Sequence, residues 1–197
     1  MKKLICITGQ DGAGKSTLIE TLSKKLSSVR VAGIWDIMDG HIPNIPFNSK
    51  KDVDAYLCEL TADARLLFLA HALKHSVEMA QRSNKEIILL NAYHYKYFAS
   101  ELALGADPSL VMSLSSYFPK PDRVISLLIP TGTAVQRKER YSRYECGLVQ
   151  NPNAHTFEEF QNKTLPFWSH FESQDWIKLD AEHSIEKLTE LTLQAIK

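Results

Sequence analysis

Net charge is what this chain most plainly lacks: 23 Lys and Arg are matched by 23 Asp and Glu over 197 residues. A nucleic-acid partner ordinarily demands a basic excess, so none is expected. Cysteine is scarce too. Cys6, Cys58 and Cys146 are odd in number and far apart, which argues against a disulfide framework or a cysteine-rich zinc site and fits reduced thiols in a cytoplasmic protein. No apolar run approaches the ~20 residues of a membrane span, so no membrane partner is expected either. The short apolar start, Leu4-Ile5-Cys6-Ile7, runs straight into a glycine-rich segment and reads as a first strand rather than an export signal. Repeats, low-complexity tracts and long linkers are absent, so residues 1–197 are expected to form one domain.

What is present is Gly9-Gln10-Asp11-Gly12-Ala13-Gly14-Lys15-Ser16, which satisfies G-x-x-x-x-G-K-[ST] at every fixed position. An apolar run precedes it, and Thr17-Leu18-Ile19-Glu20-Thr21-Leu22 follows as a helix, which is the context the motif needs. Glycines let successive N–H groups turn toward one anion, and the helix adds its positive end. Residues Gly9 to Thr17 are therefore the expected seat of the ATP triphosphate. Lys15 would reach the outer phosphates, and the Ser16 hydroxyl would take a place on Mg²⁺.

The rest alternates strands with helices. Strands are expected at about 3–8, 29–34, 86–90, 123–129 and 176–179. Helices are expected at 15–27, 60–82, 93–104, 108–117, 131–143, 156–171 and from Ile185 onward, capped by Ser184; 40–51 and 147–155 read as loops. The long helix carries the seam Leu66, Ala70, Leu73, Val77, Ala80 at helical period, with further apolar residues off it at Leu67, Phe68, Leu69 and Met79. Either neighbouring helices or a homodimer contact through about 60–82 accounts for these. Five parallel strands with helical crossovers make a three-layer α/β fold, with ligands at the carboxyl ends of the strands.

Arg137, Arg140 and Arg143 recur every three residues, within about a third of a helical circumference. Phosphoryl transfer spreads negative charge that movable arginines can stabilise, so a lid at about 131–155 is one reading. A solvated face is the other, because Lys138, Glu139 and Glu145 are interleaved.

The loop at 9–17, the run Leu66-Leu67-Phe68-Leu69-Ala70, the stretch Pro121-Asp122-Arg123-Val124 and the later arginines together resemble the thymidylate kinase family, in order and spacing across nearly the whole chain. The resemblance implies a five-stranded P-loop fold, an arginine-bearing lid and transfer of the ATP γ-phosphate to deoxythymidine monophosphate. It implies that Asp11 contacts the sugar of the acceptor, and that Gly12 goes with basic groups placed in the lid, at Arg137, Arg140 and Arg143. Arg143-Tyr144-Glu145 resembles the end of the family's Arg-x-Glu lid motif. Phe68 matches the aromatic on which the base stacks, although a core residue of a buried helix reads the same way.

The departures concern the acceptor. Where the family has Asp-Arg after the third strand this chain has Asn91-Ala92, and where it reads the thymine edge with arginine this chain has Ala72. The arginine motif after strand two is replaced by Trp35-Asp36-Ile37-Met38-Asp39. Each lost charged partner in a buried site is worth about 1.5–3 kcal/mol, so an acceptor other than thymidine monophosphate, even a smaller nucleotide-free one, enters consideration. Lys96 or His94, within the cluster Tyr93-His94-Tyr95-Lys96-Tyr97, is a candidate for the acceptor phosphate. Asp36, Asp39 or water is a candidate for the metal. Two functions stay open: an ATP-dependent kinase acting on a nucleotide or related small molecule, and a catalytically silent nucleotide binder on the same scaffold. His71 and His75, four apart, lack a third metal ligand nearby, and Cys146 reads as an incidental lid residue rather than a reactive thiol.

Overall fold

In the computed structural model, residues 2–38 and 47–196 are described. The central strand is β1 (Lys3–Thr8), buried from Leu4 onward, as a continuous apolar run in a parallel sheet must be. With β2 (Val29–Ala32), β3 (Ile87–Asn91), β4 (Arg123–Leu128) and β5 (Ile177–Asp180) it forms a five-stranded sheet in the order β2-β3-β1-β4-β5. Every pairing is parallel; Ile5, for example, lies between Leu89 and Arg123.

Helices cover both faces. One core joins α1 (Lys15–Lys25) and α8 (Ile185–Ala195) to the sheet through Leu18, Leu22, Ile125 and Leu188. The other joins α3 (Ala62–Arg82) and α4 (Tyr93–Ala103) through Leu66, Leu73, Val77 and Phe98. The seam of α3 is buried as its period requires. Of the off-seam residues, Leu69 is fully buried and Phe68 partly so, while Leu67 is 49% exposed. Among the described residues no helix is long and apolar enough to cross a membrane.

Several elements differ from the sequence reading. The second strand ends at Ala32, and Ile34–Met38 turns into a 3-10 helix. Within 40–51, read as loop, residues up to 46 lie outside the described set, but Lys50 opens a helix, α2 (Lys50–Glu59). The Ser49 side chain caps it by accepting from Asp52 N, a local signal that Ser-x-x-Asp announces. The helix after β4, α6 (Thr131–Gln136), stops far short of 143: Gly132 and two β-branched threonines are weak helix formers, and the following chain is engaged elsewhere. The next helix, α7 (Ala154–Thr164), starts two residues early on an Asn153–Thr156 capping box and continues into the 3-10 turn Leu165–His170 at Pro166. Pro108 opens α5 (Pro108–Ser115) as expected.

A buried ion pair not visible in the sequence ties these helices together. Arg65 is 1% exposed and Glu101 fully buried. Arg65 Nε donates to both carboxylate oxygens at 3.0 and 2.9 Å, and Nη1 donates to the Leu60 carbonyl at 2.9 Å, beyond the end of α2. Tyr144 Oη donates to Glu101 at 2.9 Å. Burial pushes the Glu101 carboxyl above its ordinary value even so. Glu101→Leu, which strands the guanidinium, should therefore cost about 3–5 kcal/mol in urea unfolding, and Arg65→Met with Glu101→Leu should recover most of that loss.

Candidate active site

The loop after β1 is built for an anion. Gly9 (φ 138°) passes so close to β4 that a Cβ would lie 2.5 Å from the Leu127 carbonyl oxygen. Gly12 (φ 84°) passes α6 closely enough that a Cβ would lie 2.9 Å from that of Ala134. Ala13 N closes the turn onto Gln10 O at 3.3 Å, and Gln10 Nε2 anchors it to Ile129 O at 2.7 Å. The N–H groups of Gly12, Gly14, Lys15, Ser16 and Thr17 have no protein acceptor among the described residues. They stand at the positive end of α1, whose N-cap is Gly14. Lys15 Nζ folds back onto the carbonyls of Gly9 and Gln10 at 2.8 and 2.7 Å.

Lys96 approaches the same loop from α4. Its Nζ lies 2.9 Å from Asp11 Oδ2, while Lys15 Nζ lies 4.0 Å from Oδ1. All three side chains are nearly buried. The turn that aims α4 is strained: Ala92 (φ 65°) and Tyr93 (φ 58°) both occupy the left-handed region without being glycine. Ala92 is held by N–H donation to Ile7 O and by acceptance from Thr8 Oγ1, each at 2.9 Å, and Tyr93 Oη donates to Pro119 O at 2.8 Å. Lys96, one turn later, thereby reaches the loop.

Burial sets the electrostatics. It lowers the Lys15 ammonium to about 8, with Asp11 opposing and Lys96 reinforcing the shift. Burial alone would raise Asp11, but Lys96 and then Lys15 hold the carboxyl below its ordinary value. Burial likewise works against charged Lys96, yet Asp11 keeps its ammonium above the ordinary lysine value.

These groups share an inner cavity of about 170 Å³ with Ser16, Asn91, Ala92, Tyr97 and Tyr144. A larger outer cleft of about 810 Å³ adjoins it and shares Trp35, Asp54, Ser142 and Glu145. Across the loop, a hollow of about 400 Å³ is lined by Gly12, Gly14, Thr17, Arg137 and His183.

Past α6 the chain runs irregularly, so Arg137, Arg140 and Arg143 do not share a helical face. Arg137 turns to the far hollow, its Nη2 donating to Ala181 O at 3.0 Å. Arg140 and Arg143 line the outer cleft, and Arg143 Nη1 reaches Glu59 at 3.5 Å. Three unanticipated contacts explain the path. Asp54 of α2 accepts the amides of Arg143 and Tyr144 at 3.3 and 3.1 Å. Gln161 of α7 accepts from Asp11 N at 3.2 Å and donates to Glu145 O at 3.1 Å. Lys138 pairs with Glu145 at 3.0 Å.

Other candidates lie apart. The Phe68 ring meets Phe47 and Tyr56 edge-on at 5.9 and 5.2 Å and does not line the inner cavity. His94 is core: its Nε2 lies 2.9 Å from Ser115 Oγ, it stacks on Phe118, and burial pushes it down to about 3. Asp36 is committed to Ser76 Oγ at 2.7 Å and Arg30 at 3.2 Å, and Asp39 lies outside the described residues. Ala72 is buried in α3. Cys146 is buried, and burial raises its thiol, which leaves it unreactive. His71 and His75 stack 6.4 Å apart, and among the described residues no three His, Cys, Asp or Glu gather for a metal.

No protein-family model matches the chain. It is 31% identical over 141 residues to the probable thymidylate kinase 1 of Saccharolobus solfataricus, covering 70% of each. It is 28% identical over 204 residues to the probable thymidylate kinase of Sulfurisphaera tokodaii, covering 100% of this chain and 96% of that one. Among solved structures, thymidylate kinase from Candida albicans superposes with a TM-score of 0.67 at 20% identity, covering 99% of this chain and 91% of the other. Deoxyadenosine kinase from M. mycoides with bound dATP does so with a TM-score of 0.65 at 20% identity, covering 97% of both.

The two-lysine floor makes a testable electrostatic statement. NMR titration of the lysine side chains should show Lys15 with a midpoint near 8. In Lys96→Met that midpoint should rise, because a like charge is gone and Asp11 is freed to face Lys15; an unchanged or lower midpoint would contradict the arrangement.

Proposed function

The chain belongs to the thymidylate kinase family, and we propose that it is an ATP-dependent phosphotransferase acting on thymidine monophosphate or a related small phosphorylated acceptor. Residues 1–197 act as one kinase unit, with about 131–155 as its lid. The observation that carries this reading is the convergence of Lys15, Lys96 and Asp11 in one cavity beside five amides, of the loop and the start of α1, that have no protein acceptor among the described residues.

The triphosphate tail of ATP lies on the amides of Gly12 and of residues 14–17. Its nucleoside occupies the hollow beside Gly12, Gly14 and Arg137. The acceptor phosphate enters the inner cavity, where Lys96 does the work that an arginine after β3 does elsewhere in the family. A phosphate oxygen of the acceptor forms the new bond to the γ-phosphorus. The bond from that phosphorus to the β,γ-bridging oxygen breaks, and its electron pair leaves with ADP. Lys15 moves from the carbonyls of Gly9 and Gln10 onto the transferring oxygens, so its charge appears where negative charge develops. Arg137 closes the donor side, and Arg140 and Arg143 the acceptor side. The Ser16 hydroxyl, which lines the inner cavity beside Asn91, fits Mg²⁺ held otherwise by phosphate oxygens. When bound, that ion neutralises phosphate charge.

The silent-binder reading has its own support: Asn91-Ala92 supplies no acid, and Asp11 is already paired with Lys96. Turnover decides between the two. With ATP and thymidine monophosphate, Lys15→Ala should lower kcat by about 10²–10³, the range for losing one preorganised donor. Lys96→Met should raise the acceptor KM more than the ATP KM. ATP binding by calorimetry without turnover on any nucleotide would favour the silent reading. Because phosphate requires charged Lys15, ATP affinity should also fall as pH rises through about 8, with proton uptake on binding in that range.

A further inference from the structure

The outer cleft carries two lysines, Lys50 and Lys51, that the reaction centre on the loop does not use. Lys50, Lys51, Arg140 and Arg143 all line it. Among the described residues it has two acids: Glu145 pairs with Lys138, and Asp54 accepts the amides of Arg143 and Tyr144, which leaves the four cations in excess. Arg143 Nε is buried without an acceptor among the described residues, although its Nη1 reaches Glu59. Lys50 and Lys51 occupy the first two positions of α2, where the helix dipole disfavours cations. Both are exposed and both line the cleft, so they add positive charge to it at some cost to the helix. Trp35 forms part of the wall, with Lys50 Nζ 5.1 Å from its ring centroid.

We propose that this cleft is a second phosphate subsite, and that the acceptor is a bisphosphate spanning both compartments. The inference rests on the phosphotransferase reading above. One phosphate sits in the inner cavity on Lys96 and takes the γ-phosphoryl of ATP, with the bond changes already given. The other stays unreacted on Lys50, Lys51, Arg140 and Arg143. Continuity supports a single ligand, since Trp35, Asp54, Ser142 and Glu145 border both spaces. At about 170 Å³ the inner cavity is too small to enclose a whole nucleotide, given that small-molecule sites run to roughly 300–1,000 Å³.

The test compares thymidine 5′-monophosphate with thymidine 3′,5′-bisphosphate on wild type and on Lys50→Gln with Lys51→Gln. Calorimetry should show the bisphosphate binding wild type at least tenfold more tightly. That ratio should fall below threefold in the variant, and added salt should shrink it in wild type. Equal affinities in wild type, a ratio that survives in the variant, or no bisphosphate binding at millimolar concentration would overturn the proposal. Circular dichroism checks that the variant folds; should it not, exposed Lys51→Gln alone carries the comparison. ADP release separates the two readings. If neither ligand is phosphorylated but the affinity ratio holds, the kinase reading fails and the second subsite stands. If both are phosphorylated with equal kcat/KM and bound alike, the second subsite fails and the kinase stands.

Discussion

Two ammonium groups and one carboxylate share the nearly buried floor of the site. Lys15, Lys96 and Asp11 together carry a net positive charge in a space where water screens little. Such charges are tolerated because each is tied down: Lys15 by the carbonyls of Gly9 and Gln10, Lys96 and Asp11 by each other. The arrangement is electrostatically incomplete in one direction only. An entering phosphate brings negative charge to two ammoniums and a row of unpaired amides, and it allows Lys15 to exchange carbonyl partners for charged ones. The glycine turns at the loop and the strained Ala92-Tyr93 turn both serve to hold this floor together.

Around it, the scaffold converts distant packing into local position. The parallel sheet delivers the loop, the start of α4 and the start of α6 to one edge, because every strand points the same way. The segment after α6 is then held from two sides. Asp54 on α2 grips its backbone, and Tyr144 anchors it to the buried Arg65–Glu101 pair. Arg65 also holds the carbonyl of Leu60 just past α2, so the helix that grips the lid is itself fixed to the pair that anchors it. Packing within α3 and α4 thus reaches the arginines that line the outer cleft.

How much of this was legible in the residues follows from how local each feature is. The phosphate loop was readable because its whole mechanism lies within nine consecutive residues between a strand and a helix. The inner strands β1 and β3 were readable because they are near-continuous apolar runs, and the edge strands β2 and β5 because apolar residues alternate with polar ones in them. The helix at Lys50 was overlooked although Ser49 and Asp52 announce it, because Pro43 and Pro46 nearby drew the whole stretch into a loop. The arginine spacing misled for a different reason. A period of three suggests a face only while the helix lasts, and long-range hydrogen bonds from Asp54 and Gln161 decide where this one ends. Lys96 was a candidate from its neighbourhood, but its pairing with Asp11 bridges 85 positions and leaves no periodic trace. His94 shows the converse: its side chain suits a ligand, and packing takes it for the core, whereas Phe68 stays half-buried against Phe47 and Tyr56.

The carboxamide of Gln161 has a direction, oxygen toward the loop and nitrogen toward the lid. Turned end for end, it would set donor against donor at one contact and acceptor against acceptor at the other. Its seat is therefore keyed. Displacing the Glu145 segment would break only the bond to the carboxamide nitrogen; the oxygen stays on the amide of Asp11, so the side chain is already oriented when the segment returns.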